Sequence, residues 1–277
     1  MMLGRTIRVG LLLGVGLCLA SAAVSAPRFE LAAQDFEWSG RMGEGETLVI
    51  RGISGDVRAT LASGSVAEVV ATKTGRRSDF DDVSIEIFEQ RGVTVFCVVY
   101  DSRRRDSDCE NDRSDDHGDR SDRHIRVGVD FEVRVPAGVS FDGSTVSGDV
   151  EARGLRSDVE ARTVSGDVDV STTGVARGGT VSGSVDIAMG SLDWSNLEFS
   201  TVSGDITITV PAGLEAEIDF SSLSGDFDSD FPVDVERQRK RFIGSELSGT
   251  IGAGGRHLSF QTVSGDVELL RARRQTR

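Results

Sequence analysis

Apolar and polar positions alternate with a period of two over much of the chain, and the alternation restarts at each recurrence of one short unit. The unit is Ser-Gly, a small polar residue, then an apolar one. It occurs as Ser54-Gly55-Asp56-Val57, Ser147-Gly148-Asp149-Val150, Ser165-Gly166-Asp167-Val168, Ser182-Gly183-Ser184-Val185, Ser203-Gly204-Asp205-Ile206, Ser224-Gly225-Asp226-Phe227, Ser248-Gly249-Thr250-Ile251 and Ser264-Gly265-Asp266-Val267. Side chains on a strand switch faces at every residue. Val164, Gly166, Val168 and Val170 therefore share a face, and the same register returns from Val146, Val181, Val202, Leu223, Leu247 and Val263. The pattern predicts strands with this apolar column inside, Thr, Ser and Asp outside, and a glycine that marks a bend, a bulge or a close backbone approach.

From Gly148 onward the glycines step by 18, 17, 21, 21, 24 and 16 residues. About 18 residues at ~3.3 Å each is a contour near ~60 Å, enough for two or three short strands with their turns. One such coil has no core, and stacking supplies it. The expected fold is all-β, with a β-solenoid (β-helix-like) of Ser-Gly-Asp repeats over 136–270 and a basic tail over 271–277.

The region 27–135 holds the first copy but differs in kind. Stretches 66–73, 83–89, 93–100 and 125–135 read as strands by β-branched content and alternation, and they are expected to form an N-terminal antiparallel strand cap. Between the last two, 101–123 carries nine acids and six arginines with almost nothing apolar, the mark of a solvated charged loop. Val135-Pro136-Ala137-Gly138-Val139 and Val210-Pro211-Ala212-Gly213-Leu214 are near-duplicates that end strands. Proline cannot donate to a ladder, and glycine can turn the chain.

Composition narrows the partners. Glycine is 33 of 277 residues and proline only 4, against collagen-like or proline-rich readings. The net charge of −14 becomes more negative once a segment bearing Arg5 and Arg8 is removed. A nucleic-acid binder needs a basic face, and an anionic membrane surface would repel this chain, so neither partner is expected.

Residues 1–26 read as an export signal: Arg5 and Arg8, an apolar run over 9–20, then small residues, with cleavage after Ala22 or Ala26. The apolar run of 12 is short of the ~20 residues a membrane helix needs, and no later stretch reaches that length. Export places the protein in the periplasm or at the cell surface. Once Cys18 leaves with the signal, Cys97 and Cys109 remain in an oxidising compartment, where a structural disulfide is the default. It closes a 13-residue loop, for a stabilisation of roughly 3 kcal/mol.

The recurring T-V-S-G-D-V units and V-P-A-G turns resemble the bacterial putative-adhesin family, exported β-strand-repeat proteins of unknown function. The resemblance spans 36–270, and Cys97 and Cys109 look like a cysteine pair seen in some members. It implies a right-handed β-solenoid in the cell envelope with an adhesion or envelope-stress role, and it transfers no catalytic residue.

Several groups compete to carry chemistry. Asp149, Asp167, Asp205, Asp226 and Asp266 stack about 4.8 Å apart if the coils are in register, so each neighbouring pair repels by about 1 kcal/mol in water. Either turn amides donate to each carboxylate, or calcium bridges successive coils. Turn amides are the expectation, because the G-G-x-G-x-D nine-residue calcium repeat is absent. Asp106, Asp108, Glu110 and Asp112 imitate the start of an EF-hand, but Arg113 follows where a glycine turn belongs. His117, His124 and His257, with Lys73 and Lys240, sit in no nucleophile motif, and eight equivalent serines cannot all be nucleophiles. Glycan-active enzymes also use β-solenoids, but the aromatic platform such sites want is limited to Trp38, Trp194 and Tyr100. The expectation is a non-enzymatic, cofactor-free envelope scaffold or adhesin-like binding module. Its partner is an envelope protein or glycan, and self-association through open strand ends is a further mode. The rivals are a polysaccharide lyase or hydrolase and a calcium-dependent adhesion module.

Overall fold

The computed structural model describes residues 36–100, 126–240 and 244–273. The candidate export signal, residues 101–125 with the charged stretch, Cys109, His117 and His124, and residues 274–277 lie outside the described residues.

Seven strands precede the regular part: β1 (Phe36–Arg41), β2 (Thr47–Arg51), β3 (Val57–Leu61), β4 (Val66–Gly75), β5 (Val83–Gln90), β6 (Val93–Tyr100) and β7 (Val127–Val135). A six-residue 3-10 turn, Arg77–Asp82, links β4 to β5 and is tied down by Lys73 Nζ, which donates to the Phe80 and Val83 carbonyls. Then come β8 (Ser140–Ser144), β9 (Val150–Leu155), β10 (Val159–Arg162), β11 (Val168–Thr172), β12 (Ala176–Gly179), β13 (Val185–Met189), β14 (Asn196–Ser200) and β15 (Ile206–Val210). The chain closes with β16 (Ala216–Ser224), β17 (Phe227–Ser229), β18 (Val233–Lys240), β19 (Ser245–Ile251), β20 (His257–Ser264) and β21 (Val267–Arg271). Both Pro-Ala-Gly segments end strands as expected, after β7 and β15, and Gly138 takes φ +83 at the first.

The strands form two mixed sheets. One runs β1-β4-β7-β3-β9-β11-β13-β15-β21-β17, the other β18-β19-β16-β20-β14-β12-β10-β8-β2-β6-β5. Each coil lays one strand on the second sheet, turns a corner at Ser-Gly-Asp, and lays one strand on the first. Neighbouring coils pair in parallel on both sheets. The two inner faces share one apolar core in which Phe96, Phe131, Phe141, Phe199 and Phe260 are fully buried. Small residues on one sheet admit large ones from the other. A Cβ at Gly178 would meet Ile187 Cδ1 at 2.9 Å, so glycine leaves that room to the isoleucine.

Three expectations are corrected. First, the apolar residue before Ser-Gly is outside, not inside: Ile53, Val146, Val164, Val181, Val202, Leu223 and Val263 are 42–53% exposed. The buried residues are Thr145, Thr163, Thr180, Thr201 and Thr262 before the corner and Val150, Val168, Val185, Ile206 and Val267 after it. The reason is the glycine. At Gly55, Gly148, Gly166, Gly183, Gly204 and Gly265 φ lies between +120 and +151, which turns the chain and shifts the inside-outside parity by one residue, so alternation cannot be read through the corner.

Second, the coils do not stack in chain order. β20 and β21 insert between the β14–β15 coil and the β16–β17 coil, so Ser264 bridges Ser203 and pairs on its other side with Ser224. Ser248-Gly249 joins no corner column. It lies within β19, which pairs antiparallel with β16 and β18, and Gly249 lacks the positive φ.

Third, the strands expected as one antiparallel cap are divided between the sheets. β1, β4 and β7 pair antiparallel on the first sheet, and β5 with β6 on the second. They join the stack through parallel pairs, β7 to β3 and β6 to β2. Edges covered by hairpins in this way satisfy ladders that the repeat would leave open.

Candidate functional site: the repeated corner

The corner is the feature that recurs along the molecule, and Thr, Ser, Gly, Asp and the final apolar residue of T-V-S-G-D-V each have an assignable role in it. The serines form a continuous run of parallel bridges, Ser54 to Ser147, Ser165, Ser182, Ser203 and Ser264. At four of the corners the buried threonine two residues before the serine donates its hydroxyl to a glycine carbonyl of the preceding coil. Thr145 Oγ1 reaches Gly55 O at 3.1 Å, Thr163 reaches Gly148 O at 2.9 Å, Thr180 reaches Gly166 O at 3.0 Å, and Thr201 reaches Gly183 O at 3.0 Å. The glycine packs against the same carbonyls: a Cβ at Gly166 would overlap Gly148 O, and one at Gly183 would overlap Gly166 O. Positive φ and close approach thus both demand glycine.

The aspartates answer their own repulsion. Five carboxylates, Asp56, Asp149, Asp167, Asp205 and Asp266, accept the backbone N–H at the corresponding position of the next coil: Asp149 N to Asp56 Oδ1 at 3.0 Å, Asp167 N to Asp149 Oδ1 at 2.9 Å, and Ser184 N to Asp167 Oδ1 at 2.8 Å. The ladder resumes with Asp266 N to Asp205 Oδ1 at 2.8 Å and Asp226 N to Asp266 Oδ1 at 2.9 Å. At the N-terminal end Asp130 of β7 accepts from Asp56 N at 2.9 Å, so a residue outside the repeats completes the series. A charged acceptor on an amide contributes about 1 kcal/mol or somewhat more per bond.

A second acidic row lies one step into the first sheet. Asp169 and Asp186 are register partners there, and Arg153 bridges Asp169 at 2.6 Å. Partial burial, and then Asp169, hold the Asp186 carboxyl above its ordinary range, with Arg153 opposing. Among the described residues no group of three or more His, Cys, Asp and Glu is arranged to hold a metal ion.

The candidate chemical groups are dispersed. His257 Nε2 stands 3.6 Å from Asp219 Oδ2 on the exposed side of the second sheet. Trp38 packs edge-on against Phe96 at 5.0 Å, Trp194 is buried, and Tyr100 donates its hydroxyl to Val127 O at 2.7 Å. These rings serve the core. Arg271 is held at the end of β21 by Asp230 and stacks over Phe231 at 4.7 Å. Cys97 is buried on β6. The Asp106, Asp108, Glu110 and Asp112 group lies outside the described residues. What sequence reasoning missed is the threonine column. Its invariant place before each Val-Ser-Gly was visible, but alternation assigned it outward.

The geometry defines a class: a two-sheet stack of parallel coils locked along one corner. Residues 138–270 match the family model described as Toastrack DUF4097, a domain of unknown function. Solved structures similar to the chain include a putative cell adhesion protein from Clostridium sporogenes, at 8% identity and a TM-score of 0.43, covering 86% of this chain and 100% of that one. A putative adhesin from Bacteroides fragilis aligns at 10% identity and a TM-score of 0.27, over 86% and 98% of the two chains. One from Parabacteroides distasonis aligns at 9% and 0.24, over 86% and 97%. At these values the likeness carries no functional weight. No curated protein matches.

Proposed function

We propose that the chain is an exported, non-enzymatic envelope protein, a right-handed β-solenoid acting as scaffold or adhesin-like binding module. The observation that carries this reading is the use of the repeat's polar atoms. Threonine hydroxyls go to glycine carbonyls and aspartate carboxylates to backbone amides of the next coil, so the most conspicuous polar groups of the sequence hold coils together. Right-handed winding is the hand that parallel crossovers take. Cleavage after Ala22 or Ala26 delivers the chain to the periplasm or cell surface. There Cys97, buried near the end of β6, pairs with Cys109 and anchors the charged stretch.

The test is affinity capture of the tagged protein after mild crosslinking in its native envelope, beside an assay of the purified chain on envelope polysaccharides. Recovery of an envelope protein or glycan at stoichiometric yield supports the module. Turnover of a polysaccharide by the purified chain overturns the non-enzymatic reading, and an unprocessed N-terminus overturns export.

A further inference from the structure

One residue of the corner is left without a structural role. Thr, Ser, Gly, Asp and the following apolar residue are each used by the stack, but the residue between Thr and Ser points outward and is apolar in every corner: isoleucine at position 53, leucine at 223, valine in the other five. The serine bridges and the β16–β20 register place these side chains side by side from Ile53 through Val181 to Leu223. Seven side chains near half exposure present about 500 Å² in one line, at the upper end of what a soluble monomer usually exposes in a single apolar patch. A solvated strand face would take Thr or Ser there at no cost to the ladder.

The flanks differ. On the first-sheet side the ridge is bordered by Asp56, Asp149, Asp167, Asp205, Asp266 and Asp226, with Arg58, Glu151, Asp169, Asp186 and Glu268 one row further on. Arg58 pairs with Asp56 and Glu151 and Arg153 with Glu151 and Asp169, so the acids outnumber the arginines on this flank most clearly from Asp167 to Asp226. On the second-sheet side the bordering row is Ser144, Gly179, Ser200, Gln261 and Ser221, with Arg51 and Arg162 engaged by Asp142 and Glu160. The ridge is thus an apolar rail with an acidic bank. A second copy would bring another chain of net charge −14 onto a contact smaller than the ~800 Å² per partner of a stable dimer. Spacing also selects. The rail steps by ~4.8 Å for roughly 29 Å. A helix repeats its apolar seam every ~5.3 Å and covers that length in about 20 residues, whereas a strand shows one face every ~6.8 Å.

We infer that the ridge is a docking rail for a cationic amphipathic helix of a partner protein, whose apolar seam lies on the valines and whose Lys or Arg residues meet the aspartate bank. The inference rests on the binding-module reading and names the chemistry of its partner.

The probe is a labelled 20-residue helical peptide with leucine on one stripe and lysine elsewhere, titrated into the full chain and followed by fluorescence anisotropy. Comparators are the same leucine stripe with glutamate in place of lysine, and a scrambled Leu/Lys sequence. The expected result is saturable binding of the Leu/Lys helix alone, weakened at least about tenfold in Val164→Ser/Val181→Ser/Val202→Ser, which leaves the charge untouched. Equal binding by that variant, or by the scrambled peptide, overturns the rail. So does a wild-type dimer in sedimentation that the variant dissolves, because the ridge is then covered by a second copy. If the triple variant melts early, a photo-crosslinker at position 181 takes its place. It must capture the probe where one at Ile87, exposed on β5, does not. A chain that ignores the probe yet captures an envelope partner elsewhere sinks the rail and leaves the module standing.

Discussion

The seven-coil stack and the hairpins that flank it solve the same problem in opposite ways. Inside the stack every coil meets a near-copy of itself, so one corner chemistry, repeated, satisfies amides, carbonyls and packing together. At the ends no copy is available. The chain abandons the repeat there for antiparallel pairs, β1-β4-β7 and β5-β6 at one end and β16-β19-β18 at the other. A residue such as Asp130 then stands in for the missing corner aspartate. Self-similarity is thus a local economy that fails wherever neighbours differ, and the failures are visible. Thr145, Thr163, Thr180 and Thr201 find their glycine carbonyls, while Thr262 Oγ1, in the inserted β20–β21 coil, and Ser222 Oγ, its register neighbour on β16, are buried without a hydrogen-bond partner among the described residues.

The contrast can be broken most sharply at glycine. Gly166→Ala forces a Cβ onto the Gly148 carbonyl at φ +148. It should cost about 3 kcal/mol or more, lowering Tm by roughly 10 °C in thermal melts. Gly64→Ala, in the β3–β4 loop where a Cβ meets nothing within 4 Å, should leave Tm within about 2 °C. Equal effects would mean that the corner is no tighter than a loop.

Threonine gives a change of sign. Thr163→Val removes the bond to Gly148 O and should cost about 1–2 kcal/mol. Thr262→Val removes a buried hydroxyl with no partner among the described residues and should be neutral or stabilising, by up to about 1 kcal/mol. Chemical denaturation of both variants decides, and parallel losses would show that Thr262 is satisfied after all.

Asp167→Asn should cost about 1 kcal/mol or less. It keeps an acceptor for Ser184 N–H while giving up the charge, and it also removes repulsion from the neighbouring aspartates.

The smallest effect belongs to Asp186. Its folded-state pKa is raised, by burial and then by Asp169, so the folded chain holds that proton more tightly than the unfolded one does. Its contribution is therefore destabilising at neutral pH and vanishes as pH falls below the ordinary carboxylate range. Asp186→Asn should raise Tm slightly at pH 7 and not at pH 3. The same gain at both pH values would refute the electrostatic origin.

Much of this architecture was legible in the residues. All-β character, strand positions such as 83–89 and 93–100 and the Pro-Ala-Gly strand ends are local matters of propensity and φ. That amides would answer the aspartates was legible too, but the amides belong to the next coil, which only stacking supplies. The period of the glycines also implies stacking, because a single coil has nothing to bury. The corner's parity was not legible. Val164 and Thr163 exchange places depending on how a glycine turns the chain, and glycine alone leaves both turns open. Nor was the insertion of β20–β21 beside β14–β15 legible, because any corner can stack on any other when their residues are nearly identical. That choice fell to long-range packing, with Phe199 against Phe260 at 6.0 Å and Phe227 against Phe260 at 5.8 Å. The sequence by itself determined that there would be coils and what each corner is made of. Tertiary structure decided which side chains face water and which coil is whose neighbour, because both depend on contacts that no single coil contains.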